Sequence, residues 1–101
     1  IEAIETGRVY RGHFNVRNGG TITNLPADAI IESPGYVDRF GINMVGGIEL
    51  PLACAATCNV SISVQRMAVR AAVTGDIDLL KQAVLHDPLV GAICTPEEVW
   101  Q

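Results

Sequence analysis

The chain has 101 residues, about one small domain, with 49% apolar and 18% charged side chains and a net charge of −4. Its seven basic residues are scattered and no aromatic platform lies among them, which excludes a nucleic-acid surface. No apolar run reaches the length of a membrane span, because Asn59, Gln65 and Arg66 interrupt the longest one.

So little charge is unusual for a free-standing domain of this size, and it predicts that further protein or another subunit covers part of the surface. The ends carry the same expectation. Ile1 stands without an initiator Met and Gln101 falls inside an opening helical turn, so the sequence reads as a piece of a longer polypeptide. Three cysteines is an odd count. Cys54 and Cys58 lie four apart on one helical face and read as small buried apolar side chains rather than ligands, in a reducing, cytoplasmic compartment.

In chain order, Ile1 to Thr6 followed by Gly7 reads as the last turn of a helix closing on its C-terminal glycine. VYRGHFNVRN then alternates with a period of two. Tyr10, Gly12, Phe14 and Val16 fall on one face and Val9, Arg11, His13 and Asn15 on the other, which is a strand. Asn18-Gly19-Gly20 tolerate positive φ and allow a reversal. Thr21 to Asn24 is expected to return as a short partner strand, closed by Leu25-Pro26. Ala29 to Val37 is a third extended segment, with Pro34-Gly35 marking a bend or bulge. The glycine-rich stretch from Gly41 to Gly47 reads as a loop.

A long helix opens near Pro51 and runs to about Val73. Its first half, LPLACAATC, is apolar nearly all round, which predicts burial on most sides. Its second half sets a polar stripe of Asn59, Ser63, Arg66 and Arg70 against Val60, Val64, Met67 and Ala71. Thr74-Gly75 ends it. Asp76 is the N-cap of a helix from Ile77 to His86, which Pro88 terminates. Thr95-Pro96-Glu97-Glu98 is a capping box that starts a last helix. Strands precede helices, so the expected class is α+β: a small antiparallel sheet with a long buried helix and shorter C-terminal helices.

The chemistry is sparse. No GxGxxG turn, phosphate-cradling loop, HExxH, Cys-x-x-Cys pair or nucleophile elbow is present. His86 sits at a helix end, where a cation suits the dipole. Asp38-Arg39 reads as a local ion pair and Glu32 lies in a strand beside Ser33. Ordinary glycoside hydrolysis needs two carboxylates across one sugar ring, and no such pair is offered. Asn15, Asn18 and Asn24 cluster about the reversal, where amides either hold turns or bind sugar hydroxyls. With His13 they are the substrate-pocket candidates. The residues alone lead no further than an α+β segment without a demonstrable active site.

Three stretches carry a resemblance. HFNVRNGGTITNLP is similar to an Asn-Val-x-Asn-x-Gly-x-Ile-x-Asn-Leu-Pro segment through Asn15, Val16, Asn18, Gly20, Ile22, Asn24, Leu25 and Pro26. AIIESPGYVDRFGI, from Ala29, resembles Val-Glu-x-Pro-x-x-Val-Asp-x-x-Gly-Ile. Leu50 to Trp100 follows the closing helices through LPLACAA, Asn59, Val64-Gln65, AAVTGD and DPLVGAICTPEEVW. In this order and spacing the chain resembles the C-terminal part of the NAD-dependent glycoside hydrolases of family 4, the α-galactosidase-like members above all.

The resemblance implies the terminal part of a lactate/malate-dehydrogenase-like substrate domain, with a Rossmann NAD domain upstream. It implies NAD and a divalent metal, typically Mn²⁺, for the full-length enzyme. Hydride leaves C3 of the sugar, a base takes the acidified C2 proton, the glycosidic oxygen is eliminated, and water and hydride then return. This is an exception to the two-carboxylate rule. The family's metal-binding Cys and His, nucleotide loop and base fall before Ile1, so this segment is expected to bind neither cofactor alone. Cys94 lies outside the metal-cysteine motif.

Phe14, where relatives often have Gly, together with Arg17 and Thr21 departs from the pattern. These departures leave glucose, galactose and galacturonic acid open, galacto-configured substrates being favoured. The implied partners are the rest of the polypeptide, a small sugar glycoside and further copies in a homo-oligomer, dimer or tetramer. The segment would supply pocket wall and subunit interface. Two alternatives stand beside this reading: the substrate domain of a lactate/malate-type dehydrogenase, and a purely structural oligomerisation module.

Overall fold

The computed structural model describes residues 1–100, and the chain divides into two compact units between Leu52 and Ala53. The first holds α1 (Glu2–Thr6), β1 (Tyr10–Arg17), β2 (Ile30–Asp38) and β3 (Gly41–Met44). Gly7 closes α1 in the left-handed conformation, φ 78°, and its N–H bonds the carbonyl of Ala3 at 3.0 Å. The strands form one antiparallel sheet in the order β1-β2-β3. Along β2, buried Ile31, Ser33, Gly35 and Val37 alternate with exposed Ile30, Glu32, Pro34 and Tyr36, the period-two pattern of a sheet with one covered face. Ala3, Ile22, Leu25, Ala29, Ile31 and Val37 are the buried apolar residues of this unit.

Two glycines face each other across the sheet, Gly12 and Gly35. Above Gly12 the rings of Tyr10 and Phe14 meet edge to face, centroids 6.2 Å apart and planes at 77°. The Tyr10 ring fills the space the strand glycine leaves empty, a Cβ at Gly12 standing 2.9 Å from it. At Gly35 a Cβ would stand 2.6 Å from the carbonyl oxygen of Asn43, so β3 can pack this closely only against glycine.

Several expectations are corrected. Thr21 to Asn24 does not pair with β1; β2 does, from Tyr10 opposite Val37 to Arg17 opposite Ile30. The connection closes where Asn18 N–H bonds Ala29 O at 2.8 Å and Gly19 N–H bonds Ala27 O at 2.9 Å, which leaves Ile22 to make an isolated parallel bridge to Ile48. Pro34-Gly35 makes no bulge, since the register runs through it unbroken. The carbonyl of Pro34 accepts from Val45 N at 3.3 Å, just past the end of β3. Its nitrogen therefore faces away from β1, and the missing N–H breaks no ladder bond there. Gly41–Met44, read as loop, is a strand paired with β2 through the tight turn at Arg39-Phe40. Asp38 and Arg39 do not pair with each other. Asp38 Oδ1 accepts from Phe40 N at 2.8 Å, and Arg39 donates to Thr6 O at 3.4 Å.

The second unit holds the rest of α2 (Leu52–Thr74), then α3 (Ile77–His86), α4 (Pro88–Ile93) and α5 (Pro96–Trp100). Asp76 caps α3 by accepting from Leu79 N at 3.0 Å. Asp87 both ends α3 and caps α4, accepting from Leu89 N at 2.9 Å and Val90 N at 3.2 Å. Pro88 therefore stops one helix by starting another, a short one not expected from the sequence. The capping box forms: Glu98 accepts from Thr95 N at 2.7 Å, and Thr95 Oγ1 accepts from Glu98 N at 3.4 Å. Lys81 Nζ lies 4.9 Å from the Trp100 ring centroid, joining α3 to α5.

The long helix spans almost the expected residues, but its burial differs. Only Ala55 and Ala71 are buried along α2, while Leu52, Val69 and Val73 are 85%, 64% and 81% exposed. Val60, expected to face inward, is exposed, as is Cys54, and Cys58 is half-buried. The apolar circumference was read correctly; among the described residues most of it has no cover.

Candidate functional site

Two of the four pocket candidates are consumed by the backbone. Asn18 is 1% exposed. Its Nδ2 donates to the carbonyls of Ile22, Leu25 and Pro26 at 2.9, 3.0 and 3.1 Å, and its Oδ1 accepts from Ile22 N at 2.7 Å. One amide thus folds the connection over residues 18–26 around itself and satisfies groups that burial would otherwise leave costly. Asn24 makes a two-way clamp: Nδ2 donates to Leu50 O at 2.8 Å and Oδ1 accepts from Leu50 N at 3.0 Å. With the bond from Thr23 N to Ile48 O at 2.8 Å, it ties this connection to the segment before α2. The sequence reading placed amides at the reversal; it had no signal for Leu50, which lies 26 residues from Asn24.

His13 and Asn15 lie elsewhere. Both are exposed on the open face of β1 with Arg11 and Arg17, opposite Pro34 and Glu32 of β2. The four candidates therefore do not converge on one site: two hold a loop, two stand on a sheet face.

An apolar cleft of about 390 Å³ opens between α1 and the covered face of the sheet, lined by Ile4, Tyr10, Phe14, Val37 and Ile42 among others. Its charged groups, Glu2 and Arg8, pair with each other at 3.2 Å. The other lining side chains are apolar apart from the Tyr10 hydroxyl, and no acid and base are paired across the cleft. Among the described residues no three His, Cys, Asp or Glu side chains gather as metal ligands. No reaction step is assigned to these residues.

The chain belongs to glycoside hydrolase family 4: the model of the family 4 glycosyl hydrolase C-terminal domain matches residues 1–90. It is 83% identical over 101 residues to an alpha-galactosidase of Rhizobium meliloti (strain 1021), covering all of this chain and 21% of that protein. The crystal structure of lplD from Bacillus subtilis matches with TM-score 0.87 and 28% identity over 99% of this chain and 23% of that one. The 6-phospho-beta glucosidase of Thermotoga maritima, solved with manganese, NAD+ and glucose-6-phosphate, shares the fold at TM-score 0.82 and 22% identity, over 97% of this chain and 25% of that one. The chain spans about a fifth of the length of the alpha-galactosidase it matches.

Proposed function

We propose that this segment completes the substrate domain of an α-galactosidase that depends on NAD and a divalent metal. The observation that carries the reading is 83% identity, along the whole chain, to a protein named for that activity. NAD and manganese enter from the solved relative that holds both. When bound, they would supply reversible oxidation at the sugar and polarisation of the resulting carbonyl. The groups that hold them belong to the remainder of the polypeptide.

The part played by this chain is structural. Asn18 and Asn24 fix the connection between β1 and β2 and tie it to the segment before α2, and the apolar cleft and the uncovered side of α2 offer surface to the remainder of the protein and to further subunits. The segment so contributes pocket wall and subunit interface. Three unpaired thiols agree with a reducing, cytoplasmic setting, and no helix among the described residues is long and apolar enough to cross a membrane.

The test is turnover by the full-length protein on a chromogenic α-galactoside. Stripping metal with a chelator, or removing NAD, is expected to lower the rate by at least about 100-fold, with recovery on adding back Mn²⁺ and NAD⁺. Undiminished turnover after both are removed, or cleavage of α-glucosides with α-galactosides left intact, contradicts the proposal.

A further inference from the structure

Strand β1 is the end of the sheet: eight residues, paired on one side only among the described residues. The direction of its backbone groups follows from its neighbours. Asn18 N–H bonds Ala29 O at 2.8 Å, one step beyond the pair Arg17–Ile30, so the backbone of Asn18 faces β2. Polar backbone groups alternate sides along a strand. Val16, Phe14, Gly12 and Tyr10 therefore bond to β2, and Arg17, Asn15, His13 and Arg11 present N–H and C=O outward. The outward direction of the Pro34 carbonyl, toward Val45 rather than toward His13 across the pair, agrees.

A free edge of this length is a template for another strand unless a proline, a bulge, a short span or charged side chains blunt it, and charges blunt it only toward a strand that does not neutralise them. β1 has neither proline nor bulge. Its outward residues carry Arg11, His13 and Arg17 in a row on the exposed face. That row selects the partner. If a second copy of β1 were added antiparallel with full overlap, Arg11 would stand opposite Arg17 twice, which like charges disfavour. A strand with Asp or Glu at alternate positions is the complement.

We infer that the outer edge of β1 receives a fourth strand, with acidic side chains on the Arg11–Arg17 face, from the remainder of the same polypeptide. The inference rests on the reading of this chain as part of a longer glycosidase, which leaves about four-fifths of the length of its relative to supply that strand. Main-chain bonds would set its register, and the cations its sequence.

Residue-resolved hydrogen–deuterium exchange on the full-length protein tests this without reference to turnover, so its failure would leave the galactosidase reading in place. Amides of Gly12, Phe14 and Val16 are bonded to β2 in any case and report that β1 is folded. Those of Arg11, His13, Asn15 and Arg17 are expected to exchange about 100-fold or more slowly than unstructured peptide. Fast exchange at these four beside slow exchange at the other three overturns the inference. So does protection that vanishes when the protein is diluted to monomer, which would make the partner a second copy. Arg11→Glu with Arg17→Glu is expected to cut the outward protection by about tenfold and leave the inward amides unchanged; unaltered outward protection contradicts an acidic partner.

Discussion

Asn18 turns both amide hydrogens and its carbonyl oxygen on four backbone groups of its own loop, at 1% exposure. Asn18→Ala leaves three carbonyls and one N–H without that partner and is expected to cost roughly 2–4 kcal/mol in urea unfolding. Asn18→Asp keeps one acceptor but sets carboxylate oxygen against those carbonyls, and is expected to be at least as damaging as the alanine. Stability unchanged by either substitution would show that the loop holds itself. Gly35→Ala is a separate case, because the added methyl would meet Asn43 O at 2.6 Å. It is expected to detach β3, read as faster amide exchange at Asn43 and Val45, whose N–H groups face β2. At this scale the sequence told which residue type guards the reversal; the carbonyls it bonds depend on how the loop closes, which no local pattern encodes.

At the scale of elements, local chemistry was legible and long-range pairing was not. Gly7, Asp76 and the Thr95–Glu98 box were readable because a cap and its target lie within four residues. The strand partner of β1 was misread because Asn18-Gly19-Gly20 mimics a hairpin turn, whereas Ala27 and Ala29 close the connection. Asp87, unread as a cap, serves two helices. Asp87→Ala is expected to cost about 1–2 kcal/mol and Thr95→Ala about 1 kcal/mol, both by thermal or denaturant unfolding. An Asp87 variant as stable as the parent would remove its role at the α3–α4 junction.

For the whole molecule, low charge pointed to missing cover, and the exposed apolar length of α2 gives that expectation a location. Cys54 is a probe of it, exposed in this chain beside bare Leu52. Alkylation of Cys54 is expected to slow by at least about tenfold in the full-length protein relative to the 101-residue chain, because a covered thiol reacts only when its cover opens. Equal rates would mean that this part of α2 stays bare. The activity itself was legible only through resemblance, since the chain holds no pair of carboxylates, no ligand cluster and no nucleotide loop from which it could be derived.

On the proposed function, this chain shapes a glycosidase whose cofactors are held by the remainder of the polypeptide. Calorimetric titration of the 101-residue chain and of the full-length protein with NAD⁺, with and without Mn²⁺, tests it most directly. Heat of binding is expected from the full-length protein and none from the shorter chain. Saturable, stoichiometric binding of NAD⁺ or Mn²⁺ by the shorter chain alone would contradict it.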